Sequence, residues 1–224
     1  MLTPRKKLTR KELHKDPLLE KVALVTDMAQ IHSQKLTYAA IGLIALIAIS
    51  YAYMTYKKDQ DAESINKLVA AEQIFYSGDY KEAIRRLEKY CTEYEGTQGG
   101  GLGTFYLASS YYNTDQFDFA LNYYNQYIDD YGDNSLLVVS SMAGIAACYE
   151  GQNKYEEAAQ QYEKVVNQYP DFYLRGEYMM DAARCYKVLG KIDIAKQWFD
   201  KVIKELPETV YSRDAKLALD ELGA

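Results

Sequence analysis

Apolar spacing along the chain changes character twice. In the first 35 residues, Leu18, Val22, Val25 and Ile31 recur at helical intervals among charged neighbours. Leu36 to Tyr56 then runs for 21 residues without a charge. Beyond it, apolar positions return in short helical phases, each closed by Gly, Asn, Asp or Pro. The leader carries two start signals, a capping box over Thr9–Glu12 and an Asp16–Pro17 pair that places Pro at a first helical position. It reads as a partly helical segment that either lies on a membrane surface, docks a cytoplasmic partner or serves as a basic topogenic tail.

As a helix, 21 uncharged residues reach roughly 30 Å, the thickness of a bilayer's hydrocarbon core. The pattern predicts a transmembrane helix over 36–57, with Leu36, Tyr38, Ile41, Leu43, Leu46, Ile49, Tyr53 and Tyr56 as anchoring residues. The 35-residue leader is too long for the charged region of a cleaved signal, and no lipobox cysteine follows, so the segment reads as an uncleaved signal anchor. From Leu43 to Ser77 there is no Gly or Pro, which lets this helix continue into the next one.

The rest of the chain repeats. Ala83, Ala120, Ala158 and Ala195 stand 37, 38 and 37 residues apart. Each has a second alanine twelve before it, namely Ala71, Ala108, Ala146 and Ala183. Five before come turn residues (Gly78, Asp115, Asn153, Gly190), and four after come large apolar ones (Leu87, Tyr124, Tyr162, Phe199). Each unit therefore predicts a helix, a short turn and a second helix. Paired alanines permit close approach, and aromatics fill the space around it. One such hairpin cannot bury its apolar face alone, so the units stack. The repeats fall at about 64–96, 101–133, 139–171 and 176–208 within a 58–224 domain. A final amphipathic helix over 209–222 caps them with Ala215, Leu217, Leu219 and Leu222.

The stretches "AEQIFYSGDYKEAIRRLEKY", "ASSYYNTDQFDFALNYYNQY", "AACYEGQNKYEEAAQQYEKVVNQYP" and "AARCYKVLGKIDIAKQWFDKVIKELP" resemble the tetratricopeptide repeat (TPR) family. The family's usual Trp near the repeat start is missing, and the period exceeds the standard 34. The longer repeats are similar to envelope TPR proteins of Gram-negative bacteria, of the BamD and Tol–Pal coordinator type. The order of leader, single anchor and repeats is similar to the YfgM family. The resemblance implies an all-α solenoid whose first helices line the concave face, with positions 18, 15, 11, 8 and 7 before each marker alanine pointing inward. Among these positions stand Leu68, Phe75, Tyr76, Phe105, Tyr112, Ala143, Glu150, Met180, Arg184 and Lys187. The groove is then aromatic in its first half and partly basic in its second. It suits an apolar or extended peptide, or else packs against a neighbouring helix or subunit.

Charge sets the orientation. Residues 1–35 carry eight Lys/Arg against four Asp/Glu, whereas residues 59–224 carry 16 against 28. Basic segments stay in the cytoplasm, so the leader belongs there and the acidic repeats across the membrane, with Lys57 and Lys58 opposing weakly. The resemblance to bacterial envelope proteins then implies a bacterial inner membrane with the repeats in the periplasm. The topological rival is an N-anchored organellar receptor with its repeats in the cytosol. No Lys or Arg occurs from Tyr90 to Asn153, which excludes a phosphate-binding nucleic-acid surface there.

Candidate chemistry is sparse. Three cysteines without a CxxC pair, and two histidines both before the apolar run, imply no metal site and no nucleophile–base pair. "GTQGGGLG" (96–103) lacks the lysine of a phosphate loop and reads as a flexible turn between repeats. "DDYGDN" (129–134) has the wrong spacing for an EF-hand and reads as another turn. No catalytic residue, cofactor or small-molecule substrate is expected. Three functions compete: a membrane-anchored scaffold for partner proteins, a permanent accessory subunit of a membrane complex, and a membrane-bound hydrolase using surface carboxylates.

Overall fold

A computed structural model describes residues 21–22, 33–132 and 134–223. The leader's two start signals and its stripe at Leu18, Val25 and Ile31 lie outside them; Lys21 and Val22 are helical. Among the described residues the chain is all-α, with nine helices. They are α1 (Ser33–Tyr76), α2 (Tyr80–Glu93), α3 (Gln98–Tyr112), α4 (Phe117–Asp130), α5 (Ser135–Gly151), α6 (Tyr155–Gln168), α7 (Arg175–Val188), α8 (Ile192–Glu205) and α9 (Val210–Gly223). The fold divides into two units, Met1–Lys58 and Asp59–Ala224.

In the first unit, α1 is long and apolar enough to cross a membrane, and its apolar window is wholly unburied. Every anchor residue named above is between 53% and 74% exposed. The helix does not stop where the apolar run stops. With no Gly or Pro to break it, α1 runs on to Tyr76.

In the second unit, hairpins α1–α2, α3–α4, α5–α6 and α7–α8 stack, and α9 follows. The marker alanines are the contact points: Ala83, Ala120, Ala158 and Ala195 are 0% exposed, and their partners Ala71, Ala108, Ala146 and Ala183 reach at most 5%. Leu87, Tyr124, Tyr162 and Phe199 fill the layer beside them, each buried. A fully buried side chain of this size contributes about 1.5–3 kcal/mol through removal from water. Two clusters of core residues run along the stack, and Phe105, Ile128 and Tyr149 touch both.

All four predicted turn residues adopt the left-handed backbone: Gly78 at φ 83°, Asp115 at 59°, Asn153 at 60° and Gly190 at 72°. That geometry ends the first helix of each hairpin. The N–H of Gln116, Lys154 and Lys191 then folds back to the carbonyl of Tyr111, Tyr149 and Tyr186 at 2.8–3.0 Å.

Two sequence expectations are corrected here. The glycine run is no flexible turn. Thr97 caps α3 by accepting the Gly100 N–H at 3.0 Å, and Gly99, Gly100, Gly101 and Gly103 are buried inside the helix. They are small because neighbours press on them: a Cβ on Gly103 would lie 2.8 Å from the Tyr90 ring, and one on Gly101 would lie 2.8 Å from Tyr131. In the last helix, Ala215 is buried, but Leu217 is 63% exposed because it sits on the outer side of α9.

Candidate functional site

The first helices α1, α3, α5 and α7 build one face of the second unit. At its start, Phe75 packs on Tyr106 at 5.0 Å between centroids, and Tyr76 meets Tyr106 edge-on at 5.9 Å. The Tyr106 hydroxyl donates to Glu72 at 2.8 Å and lies 3.1 Å from the Tyr76 hydroxyl. Burial and the adjacent Tyr76 and Glu72 together push the Tyr106 hydroxyl's pKa up, so it stays protonated as a donor. Tyr76 is 69% exposed, an amphipathic ring held in place by its neighbours while most of its surface faces solvent.

Leu68 does not belong to this face. At 2% exposure it is a core residue, packed within the cluster that holds Ala71, Leu87 and Leu107. Phe105 is half-buried between the two core clusters, with Tyr106, Tyr124 and Tyr127 each 6.0 Å away. Tyr112 is half-buried against Phe117 at 5.9 Å. Ala143 lines the core at 9%.

The basic half of the face is not free charge. Arg184 reaches Glu150 at 2.7 Å and Asp181 at 2.8 Å. Although burial works against its charge, hydrogen bonds to these two carboxylates hold the guanidinium still more firmly protonated. Burial pushes the Asp181 carboxyl up, and Arg184 opposes that shift. Lys187 pairs with Glu221 of α9 at 3.1 Å. Arg184 therefore ties the fourth repeat to the third and Lys187 ties it to α9, each contributing little where water screens it.

Tyr106, Asp181 and Glu221 were not among the sequence candidates, and Glu72, eleven before Ala83, occupies an inward position that was not singled out. A spacing signal points to three of them: Glu72–Tyr106, Glu150–Arg184 and Lys187–Glu221 are each 34 residues apart. The face thus divides into an aromatic part that presents Tyr76 and a charged part whose ions are matched within the molecule.

Among the described residues no group of three His, Cys, Asp or Glu side chains is placed to hold a metal. Cys91, Cys148 and Cys185 are free thiols. Burial pushes Cys91 up to about 11 and Cys148 up to about 12, which removes the thiolate that a nucleophile requires.

Residues 102–171 match the model of a family described as a tetratricopeptide repeat. No curated protein sequence matches the chain. Two crystal structures of Podosopora anserina, described as nearly identical TPR-like repeats of a kinesin light chain, share the fold at TM-score 0.55 and 17% identity. One is a point variant; the alignments cover 67% of this chain and 77% or 78% of theirs. The TPR reading is therefore supported by sequence over the second and third repeats and by fold over two thirds of the chain.

Proposed function

We propose that this chain is a single-pass anchored scaffold of the bacterial inner membrane. Its leader is cytoplasmic, Leu36 to Tyr56 cross the bilayer, and its periplasmic repeats hold partner proteins of an envelope complex for secretion, folding or assembly. Tetratricopeptide repeats are interaction scaffolds, and that part rests on the repeat match itself. The membrane part rests on the exposed apolar helix and on the basic leader before it.

One observation carries the choice of surface. Tyr76 is the largely exposed ring in an ordered aromatic cluster with Phe75 and Tyr106, backed by Glu72. Such a ring costs little entropy to immobilise and suits an apolar or extended segment of a partner. Tyr112 extends the same face toward the third repeat.

A photo-crosslinking amino acid at position 76 or 112, in intact cells, tests the surface. Capture of the same protein from both positions is expected, and capture from neither overturns the proposal. A complex that survives detergent and high salt at fixed stoichiometry would instead favour the permanent accessory subunit. Orientation is tested with an Asp171→Cys variant and a membrane-impermeant maleimide. Labelling in intact cells is expected once the outer membrane is permeabilised, and labelling only after lysis overturns the periplasmic placement.

A further inference from the structure

The opposite face of the repeat unit, built by the second helices, holds three seams between successive hairpins. Corresponding positions can be followed from the marker alanines. Three residues after them stand Arg86, Tyr123, Gln161 and Trp198; five after stand Glu88, Asn125, Glu163 and Asp200; nine before stand Ile74, Tyr111, Tyr149 and Tyr186.

The first and third seams are plugged by their own aromatics. In the first, Tyr123 stacks on Tyr111 at 5.5 Å with the rings 4° apart, and the Tyr111 hydroxyl donates to Glu88 at 2.5 Å. In the third, the Trp198 indole N–H donates to Glu163 at 3.0 Å, and Lys201 covers the ring at 4.5 Å. Both seams hold an aromatic side chain three residues after the marker, and in each a polar hydrogen, from Tyr111 beneath the plug in the first and from the plug Trp198 itself in the third, is donated to a glutamate of the preceding repeat.

The middle seam has neither half of the device. Gln161 replaces the plug, its amide donating to the Met142 carbonyl at 3.3 Å. Asn125 replaces the glutamate and folds back onto the Leu121 carbonyl of its own helix at 2.8 Å. What is left is an open cleft of about 330 Å³ between α4 and α6, over a floor of Val138, Met142 and Ile145, with Tyr149 beside it. Its volume sits at the lower end of the range for a specific binding pocket, about 300–1,000 Å³.

We propose that the seam between the second and third repeats is a receptor for one aromatic side chain with a polar hydrogen, a tyrosine or tryptophan, presented by a partner protein. The two flanking seams are the templates: each shows what this architecture accommodates when the side chain comes from the same chain. The site is separate from the Tyr76 face, so the two stand or fall independently.

The test uses the full chain in detergent micelles and the probe N-acetyl-5-fluorotryptophanamide, followed by 19F NMR. Saturable binding by the unaltered chain and by Gln160→Trp, an exposed neighbour, is expected to match. Gln161→Trp supplies the plug from within and should weaken probe binding at least tenfold while raising Tm. Asn125→Glu restores the missing acceptor and should tighten binding at least threefold, a readout that does not depend on the first variant folding. Binding that is absent, unchanged by Gln161→Trp or unchanged by Asn125→Glu overturns the proposal. So does a fall in Tm in Gln161→Trp, since the ring then does not fit the seam. A dimer that Gln161→Trp abolishes would make a second copy the occupant and overturn the assignment to a partner.

Discussion

The Tyr90 hydroxyl donates to the Ser64 carbonyl oxygen at 2.6 Å, across 26 residues of chain, in the buried angle where α1, α2 and α3 meet. Ser64 is 0% exposed, its own hydroxyl donates to Asp61 at 2.7 Å, and it accepts the Gly99 N–H at 3.1 Å. Asp61 in turn accepts the Gln98 N–H at 2.8 Å, so orphan donors at the start of α3 are satisfied by α1. This junction locks the first hairpin to the second, and it fits only because Gly99, where α3 meets Ser64 and Tyr90, has no side chain.

Gly99→Ala is therefore expected to destabilise the repeat unit. Its Cβ would lie 2.5 Å from both the Ser64 Oγ and the Tyr90 hydroxyl, and 2.7 Å from the Ser64 backbone carbon. Alanine gains up to about 1 kcal/mol in helix propensity, while overpacking against backbone costs about 1–3 kcal/mol, so the net is a loss. Tyr90→Phe keeps the ring and removes one hydrogen bond, a cost of about 0.5–1.5 kcal/mol. Thermal unfolding followed by far-UV circular dichroism should place both Gly99→Ala and Tyr90→Phe below the unaltered chain.

The hairpin turns give a second test. Asp115 and Asn153 hold φ near 60° where the first and fourth repeats use glycine. Asn153→Gly should leave stability unchanged or raise it slightly, whereas Gly190→Val should cost about 1–2 kcal/mol, because a Cβ in this conformation crowds the following carbonyl. No atom lies within 4 Å of a Cβ added at Gly190, so the added Cβ meets no neighbouring side chain and the strain lies in the backbone. Tm should fall for Gly190→Val, and the denaturant slope should stay constant.

This framework was legible because its cause is periodic. Alanines recur where helices touch, and left-handed residues recur where they turn. The glycine run was misread because Gly99 to Gly103 looks the same in a loop as in a helix pressed against Tyr90 and Tyr131; only the partners, distant in sequence, decide. Leu68 was misplaced for a related reason. Assignment by spacing alone does not say which flank of α1 the core covers. The pairing of Arg184 and Lys187 with Glu150 and Glu221 is marked in the sequence only by a 34-residue spacing, which a reading of inward positions one repeat at a time does not use. The middle seam needed the structure altogether, since it is defined by what Gln161 and Asn125 fail to fill.

Stability should fall on the alkaline side. Burial raises the pKa of Cys91, from 9.0 to about 11, and of Cys148, from 9.0 to about 12, and it raises those of Tyr90, Tyr124 and Tyr162 above the usual phenol value. A group whose folded value is raised contributes fully below its unfolded value and loses that contribution as pH climbs toward the folded one. The window opens near pH 9 and widens to about pH 12 for Cys148. Across it, each group held protonated only in the fold lowers stability by up to about 1.4 kcal/mol per pH unit. Urea midpoints measured from pH 8 to 11 should decline steeply above pH 9. At pH 8, a maleimide should react far more slowly with Cys91 than with an exposed cysteine at position 171, roughly 100-fold on thiolate fraction alone.

Leu68 and Tyr76 separate folding from recognition on one helix. Leu68 is 2% exposed within the first core cluster, so Leu68→Ala opens a cavity and should cost about 2–5 kcal/mol. Tyr76 is 69% exposed, and it meets Phe75 and Tyr106 edge-on with its hydroxyl 3.1 Å from that of Tyr106. Tyr76→Ala should cost less than about 1 kcal/mol of stability. On the proposed binding face the order reverses. Tyr76→Ala should weaken partner retention roughly tenfold, as truncation of an aromatic anchor does at an interface. Leu68→Ala should reduce binding only in proportion to the fraction unfolded, and a temperature low enough to refold it should restore binding in full. Co-purification at two temperatures, beside the melting curve of each variant, reads both quantities. A Tyr76→Ala chain that melts normally and retains its partner normally would remove Tyr76 from the binding surface.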